Sequence, residues 1–196
     1  MSMWSSPLFW IVFAIAMFWA LGAYNRLMRL RSAVVQAFGS FDAHMVRQLA
    51  FLGEVDASHA AQAPELAGAA APEMAALQGA ATQLSASLAM ARARPLKPDA
   101  VAALAAAREV LHACWQKVDR GMPAQSVAAT PAGADSAVVP PSVPRALGAR
   151  WQELVQQNEQ AIGVFNDAVL HYNAAIAQFP ASVLAWVFGF KAARGL

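Results

Sequence analysis

The residues able to do chemistry are few and scattered. The four histidines are His44, His59, His112 and His171. No two stand three or four apart, so no helix carries the histidine pair of a zinc peptidase. Asp56 and His59 are three apart and share a helix face, the spacing at which a carboxylate orients an imidazole. The same spacing is ordinary for a solvent-facing pair, and that is the favoured reading. His112 and Cys114 are two apart and point to different faces, which argues against a cysteine–histidine nucleophile dyad. Cys114 reads instead as a small apolar residue on or near a core face. As the single cysteine, it excludes an intramolecular disulfide framework and a multi-cysteine metal site. No glycine-rich phosphate loop is present: Gly189 is the lone glycine of its apolar stretch. The acidic residues do not pair up as a general acid and base. The expectation is therefore no catalytic, cofactor-binding or metal-binding residue, and an interaction or structural role rather than an enzyme. An enzyme with a site assembled from scattered residues is the less favoured class.

Three asparagines draw more interest. Asn166 and Asn173 are seven apart and each follows an aromatic residue, Phe165 or Tyr172; Asn25 follows Tyr24 in the same way. One reading makes them polar flanks beside aromatic core positions. The other turns one or more inward to fix helix register, as a buried asparagine does in coiled coils. Ligand binding stands third.

The elements that must carry these residues are helical. Hydrophobic residues make up 58% of the 196 and charged residues only 13%, against roughly half and a quarter in an average domain. The excess lies in an N-terminal apolar block and in alanine, the best helix former and a poor strand former. The net charge of +2 and the scattered basic residues argue against nucleic acid as a partner. No charge precedes Arg26, and Leu8 to Tyr24 reads LFWIVFAIAMFWALGAY. With its flanks this is long enough to cross about 30 Å of hydrocarbon, and Trp4, Trp10, Trp19 and Tyr24 lie toward its ends, where aromatics favour the headgroup region. Residues 1–24 are therefore expected to be a transmembrane anchor. A cleaved signal peptide is the competing reading, with Ala20-Leu21-Gly22 as a small-residue cleavage site, but a basic n-region is missing. Arg26, Arg29 and Arg31 follow the span directly. The positive-inside rule then sets the bundle in the cytoplasm and the N-terminus outside an inner membrane.

Beyond the anchor, apolar residues recur in steps of three and four. Four helices follow, at about 25–59, 73–94, 99–120 and 145–179. The first carries Leu27, Leu30, Val34, Phe38, Phe41, Met45, Leu49, Leu52 and Val55 on one face. The second carries Met74, Leu77, Ala81, Leu84, Leu88 and Ala91. The third carries Val101, Leu104, Leu111, Trp115 and Val118. The fourth carries Leu147, Trp151, Leu154, Ile162, Phe165, Val169, Tyr172, Ile176 and Phe179, with one turn skipped at Asn158. Ala61 to Pro72 reads as a connector, Pro95 to Pro98 as a tight break, Asp99 as an N-cap and residues 122–144 as a flexible loop. Four amphipathic helices in an up-down-up-down order bury their stripes against one another. The fold class is all-α, an N-terminal transmembrane helix continuing into an antiparallel four-helix bundle over 25–180. That order returns the fourth helix to the membrane surface. The apolar tail, 181–196, is too short to cross a bilayer. It either folds back on the bundle or lies in the membrane interface.

The ends of this bundle resemble the LemA family. Tyr24-Asn25-Arg26-Leu27, followed by Leu30-Arg31, is similar to that family's signature just after its anchor. The block FNDAVLHYNAAIAQFP, Phe165 to Pro180, with Leu184, Ala185 and Gly189-Phe190, is the more specific match. The resemblance covers about residues 8–50 and 147–190. It implies a bacterial, membrane-anchored antiparallel helical bundle with no transferable enzymatic activity and a scaffold or envelope role. The chain departs from the pattern at Arg47 to Val55, RQLAFLGEV, which lacks the family's proline and asparagine, and in the expanded 122–144 segment. A divergent member is expected, with the lipid bilayer as one partner and an unidentified protein as another. An exported bundle that binds an envelope component is the alternative.

Overall fold

The computed structural model describes residues 7–60, 64–121, 143–179 and 181–196. Among them are five helices: α1 (Pro7–Ala60), α2 (Pro64–Ala93), α3 (Pro98–Gly121), α4 (Val143–Ala177) and α5 (Ala181–Phe188). The fold is all-α, and the described residues contain no strand.

α1 is one unbroken helix of 54 residues, about 81 Å long at 1.5 Å per residue. Its first turns are exposed on all sides, and from Leu27 onward one stripe becomes buried. The antiparallel partner of that stripe is α4, and α2 pairs with α3 as a hairpin. The predicted face positions are buried or half-buried apart from Phe179, and Phe51 joins them. Val34, Phe38, Phe41, Met45, Leu52 and Val55 of α1 join Met74, Leu77, Leu84 and Leu88 of α2 in one core. Val101, Leu104, Leu111 and Trp115 of α3, with Trp151, Ile162, Phe165 and Val169 of α4, complete it. Each fully buried side chain of this size contributes about 1.5–3 kcal/mol, which is what holds together helices that are marginal alone. Aromatic rings join the two helix pairs at the end far from the apolar segment. Trp115 of α3 stacks on Trp151 of α4 at 4.3 Å, and Phe51 of α1 tilts against Trp115 at 5.7 Å.

Several boundaries differ from expectation. The connector predicted over Ala61 to Pro72 is largely helix, because α2 begins at Pro64 and runs through Pro72. Proline is tolerated in a first turn, and the alanines that follow favour helix strongly enough to carry an interior proline. Pro98, not Asp99, opens α3: the Val101 amide donates to the Lys97 carbonyl, so Lys97 takes the cap position and Asp99 sits in the first turn, where its charge opposes the helix dipole. α4 starts at Val143, two residues before Arg145. Residues 122–142 of the predicted loop, and Trp4, lie outside the described residues. Phe179, expected on the core face, is 80% exposed, and Asn158, the expected gap in the stripe, is buried.

Candidate functional site: the end of the bundle beside the apolar segment

The residues first considered for chemistry remain apart. Asp56 accepts a hydrogen bond from Gln78 Nε2 rather than meeting His59. His112 lies within hydrogen-bond distance of Gln116 on its own helix, at 3.0 Å, and Cys114 is half-buried against the core. His171 is exposed and His44 half-buried. Among the described residues no three metal-ligating side chains come together.

The polar pair inside the bundle is one that spacing alone did not reveal. Asn158 of α4 donates to Gln48 Oε1 of α1, and both side chains are buried. Gln48 sits between Met45 and Phe51 on the same stripe, so a polar residue at a core position of α1 faces the skipped turn of α4. This pair borders a cavity of about 310 Å³ between α1, α3 and α4, with Arg108, His112, Trp151 and Glu159 around it. Asn158 Oδ1 and Trp151 Nε1 are buried there without a protein partner. At its rim Arg108 of α3 bonds Glu159 of α4 at 2.7 Å.

Asn166 and Asn173 do something else. Each grips the backbone of the chain's last residues with both ends of its amide. Asn173 Nδ2 donates to the Ala193 carbonyl at 2.8 Å, and the Ala193 amide donates to Asn173 Oδ1 at 2.9 Å. Asn166 repeats this with Leu196, at 3.1 and 2.8 Å. Seven residues of helix advance about 10.5 Å, and three residues of extended chain advance about 10 Å. The two asparagines are thus in register with an extended, antiparallel strap. The Tyr172 hydroxyl adds a bond to the Lys191 carbonyl at 3.2 Å. Burial raises the Tyr172 phenol above its ordinary pKa, and the nearby Arg31 charge opposes that rise. Gly195 lets the strap approach: a β-carbon there would come within 2.5 Å of Asn166 Oδ1.

The strap fixes α5. This short helix ends with Gly189 in the left-handed conformation, φ 68°, and the Phe190 amide bonds the Ala185 carbonyl at 2.9 Å, a Schellman closure. Ala185 is buried, whereas Val183, Trp186, Val187 and Phe188 are exposed, Trp186 by 82%. The ring of Phe179, two residues before α5, lies 6.1 Å from Trp19, and that of Phe188, its last residue, lies 5.3 Å from Tyr24. The tail does fold back, through its final residues, Ala185 and the contact of Phe188 with Tyr24. Val183, Trp186 and Val187 face outward, and Phe188 remains more than half exposed.

Together these features define a class: an all-α bundle whose first helix extends into one segment long and apolar enough to cross a membrane, with mean hydropathy 1.8 over its best window and none of that window buried. The chain matches no known protein family, no curated protein and no solved structure.

Proposed function

We propose that the protein is a single-pass, membrane-anchored helical bundle of the LemA type that acts as an interaction scaffold on the cytoplasmic face of a bacterial inner membrane. The observation that carries this reading is the state of α1 before Leu27. From Leu8 to Trp19 every side chain is exposed, so the segment lacks the covering a core helix needs, and leaving such a surface in water is strongly unfavourable. A lipid environment removes that cost. The same helix continues without a break into the core stripe. Trp19 and Tyr24 contact Phe179 and Phe188, so the end of the span belongs to the packed unit, which favours retention over cleavage near Gly22. The two stretches that resemble the LemA family lie on α1 and on α4 with α5, which pack together. Arg26, Arg29 and Arg31 support the cytoplasmic side.

The test is a cysteine placed at Ser126 in a Cys114→Ser background, probed with an impermeant thiol reagent in intact cells. The expected result is an intact N-terminus in the membrane fraction and no labelling until the cells are permeabilised. Labelling of intact cells would overturn the orientation. Recovery of a chain beginning near Gly22 in the soluble exported fraction would replace the anchor with the exported-bundle reading.

A further inference from the structure

We infer that α5 is a second membrane contact: a prepositioned interfacial helix that seats in the headgroup region of an anionic bilayer beside the span. The inference rests on the membrane-anchor reading above and adds where the apolar face of α5 goes.

Three independent observations converge on lipid. The first is position. Phe179 and Phe188 bracket α5 and meet Trp19 and Tyr24 of α1, five residues or about 7.5 Å apart along that helix. α5 itself is about 12 Å long at its eight residues. It therefore packs beside the end of the apolar segment, at the level where the proposed span leaves the hydrocarbon. A helix at this depth has its outward face toward lipid.

The second is the chemistry of that face. Val183, Trp186, Val187 and Phe188 are all more than half exposed. The exposure is imposed by the fold: the asparagine grip on Ala193 and Leu196 and the Schellman closure at Gly189 hold α5 with Ala185 inward and the large side chains outward. A tryptophan beside aliphatic residues suits the headgroup boundary, where an apolar ring body and a polar N–H are both satisfied.

The third is charge. All 12 acidic residues of the chain lie between Asp42 and Asp167. The two segments that meet at this end, residues 1–41 and 168–196, carry Arg26, Arg29, Arg31, Lys191 and Arg194 and no acidic residue. Arg31 lies close enough to Tyr172 to act on its phenol, and that phenol bonds the Lys191 carbonyl, so the two acid-free segments meet at this part of the bundle. The rest of the chain has nine basic residues against those 12 acidic ones. A basic, acid-free pair of segments beside an apolar face is complementary to anionic headgroups over acyl chains, and cations held near such a surface strengthen attachment.

The test uses the full chain reconstituted in vesicles of phosphatidylcholine alone or with phosphatidylglycerol. In a Cys114→Ser background, single cysteines at Trp186, at Phe13 in the span and at Glu153 far from it carry an environment-sensitive fluorophore. Quenching is then measured with lipids spin-labelled at the headgroup, at a shallow acyl carbon or deep in the chain. The Trp186→Cys label is expected to be quenched most by headgroup and shallow labels. Its blue shift should be larger with phosphatidylglycerol and should diminish when Lys191→Glu and Arg194→Glu are combined. Glu153→Cys should respond to no lipid label. Quenching of the Phe13 label by deep spins with none at Trp186 would overturn the inference and leave the anchor standing; loss of quenching at both would overturn the anchor as well. Protection of the Trp186 label from water without lipid quenching, together with disulfide dimers of the unlabelled Trp186→Cys variant, would assign the face to a second copy of the chain and overturn the lipid contact.

Discussion

The asparagine strap should open locally, and its strength can be worked out from its bonds. In Asn173→Ala two hydrogen bonds to Ala193 are lost, of 2.8 and 2.9 Å. Each is worth about 0.5–1.5 kcal/mol net, so the pair holds the strap by about 1–3 kcal/mol. At a central value of ~2 kcal/mol the population of the open strap rises about 30-fold. Trypsin reads this directly, because Lys191 and Arg194 lie within the strap and cleavage of a rapidly opening segment follows its open population. In mild detergent, release of the peptides beginning at Ala192 and Gly195 should accelerate by about that factor, followed by mass spectrometry. The global unfolding midpoint should scarcely move, since the opening is local. Gly195→Ala should act in the same direction through Asn166, whose side-chain amide must shift away from the new β-carbon, Oδ1 losing the bond it accepts from the Leu196 amide and Nδ2 the one it donates to the Leu196 carbonyl. A rate within twofold of the parent for Asn173→Ala, measured against unchanged cleavage after Arg120, would refute the view that these amides hold the tail.

Two further outcomes follow from polar groups in the bundle. Asn158→Leu alone should lower stability by about 1–3 kcal/mol, because it leaves the buried Gln48 amide unpaired, while the double variant with Gln48→Leu should recover most of that loss; urea melts of the four proteins close the cycle, and additive losses would exclude coupling between the two. Tyr172 carries a pH dependence whose sign is set by its raised folded pKa. Its contribution is fully present below the unfolded tyrosine value of about 10 and is lost as pH rises through the higher folded value. The melting temperature of the parent should therefore fall more steeply above pH 10 than that of Tyr172→Phe, and parallel curves would show that the phenol does not ionise with unfolding.

Periodicity made the helices legible because burial of one stripe is a repeating demand on sequence. The four faces were readable from leucine, valine and aromatic spacing, and alanine content excluded strands. What escaped has particular physical causes. Asn158 looked like a gap because a polar residue breaks an apolar pattern; its partner Gln48 is 110 positions away, and only tertiary packing brings them together. Asn166 and Asn173 do flank the buried Phe165 and Tyr172, as their spacing predicts, but their grip on the tail is not legible in that spacing. Their target is backbone, which carries no side-chain signal, and the matching of seven helical residues to three extended ones appears only once the strap is laid along α4. Phe179 follows the helical period yet faces outward, because α4 ends at Ala177 and the residues beyond a terminus no longer obey its period. The start of α2 was missed because prolines at 64 and 72 read as breaks, whereas one stands in a first turn and the other is carried by alanine.

The bundle divides its attachments by level, and this bears on how the two ends can act. Away from the apolar segment, α1, α3 and α4 are joined by the Phe51–Trp115–Trp151 rings, with ion pairs Arg150–Glu54 and Arg108–Glu159 at 2.7 Å beside them. The ion pairs are exposed on at least one side and contribute little, so the stacked rings hold the helix pairs together there. At the other end α1, α4, α5 and the strap form a separate set of contacts. A rigid rod of about 81 Å, held in lipid by its first turns alone, lets any tilt of the span swing the distal rings through a wide arc. The proposed second lipid contact at α5 would resist that tilt at its pivot, where a small displacement corresponds to the largest movement of the far end. The strap matters to orientation for this reason: it ties the chain that follows α5 back onto α4. Releasing it should loosen the position of the whole bundle over the membrane while leaving the four-helix core intact.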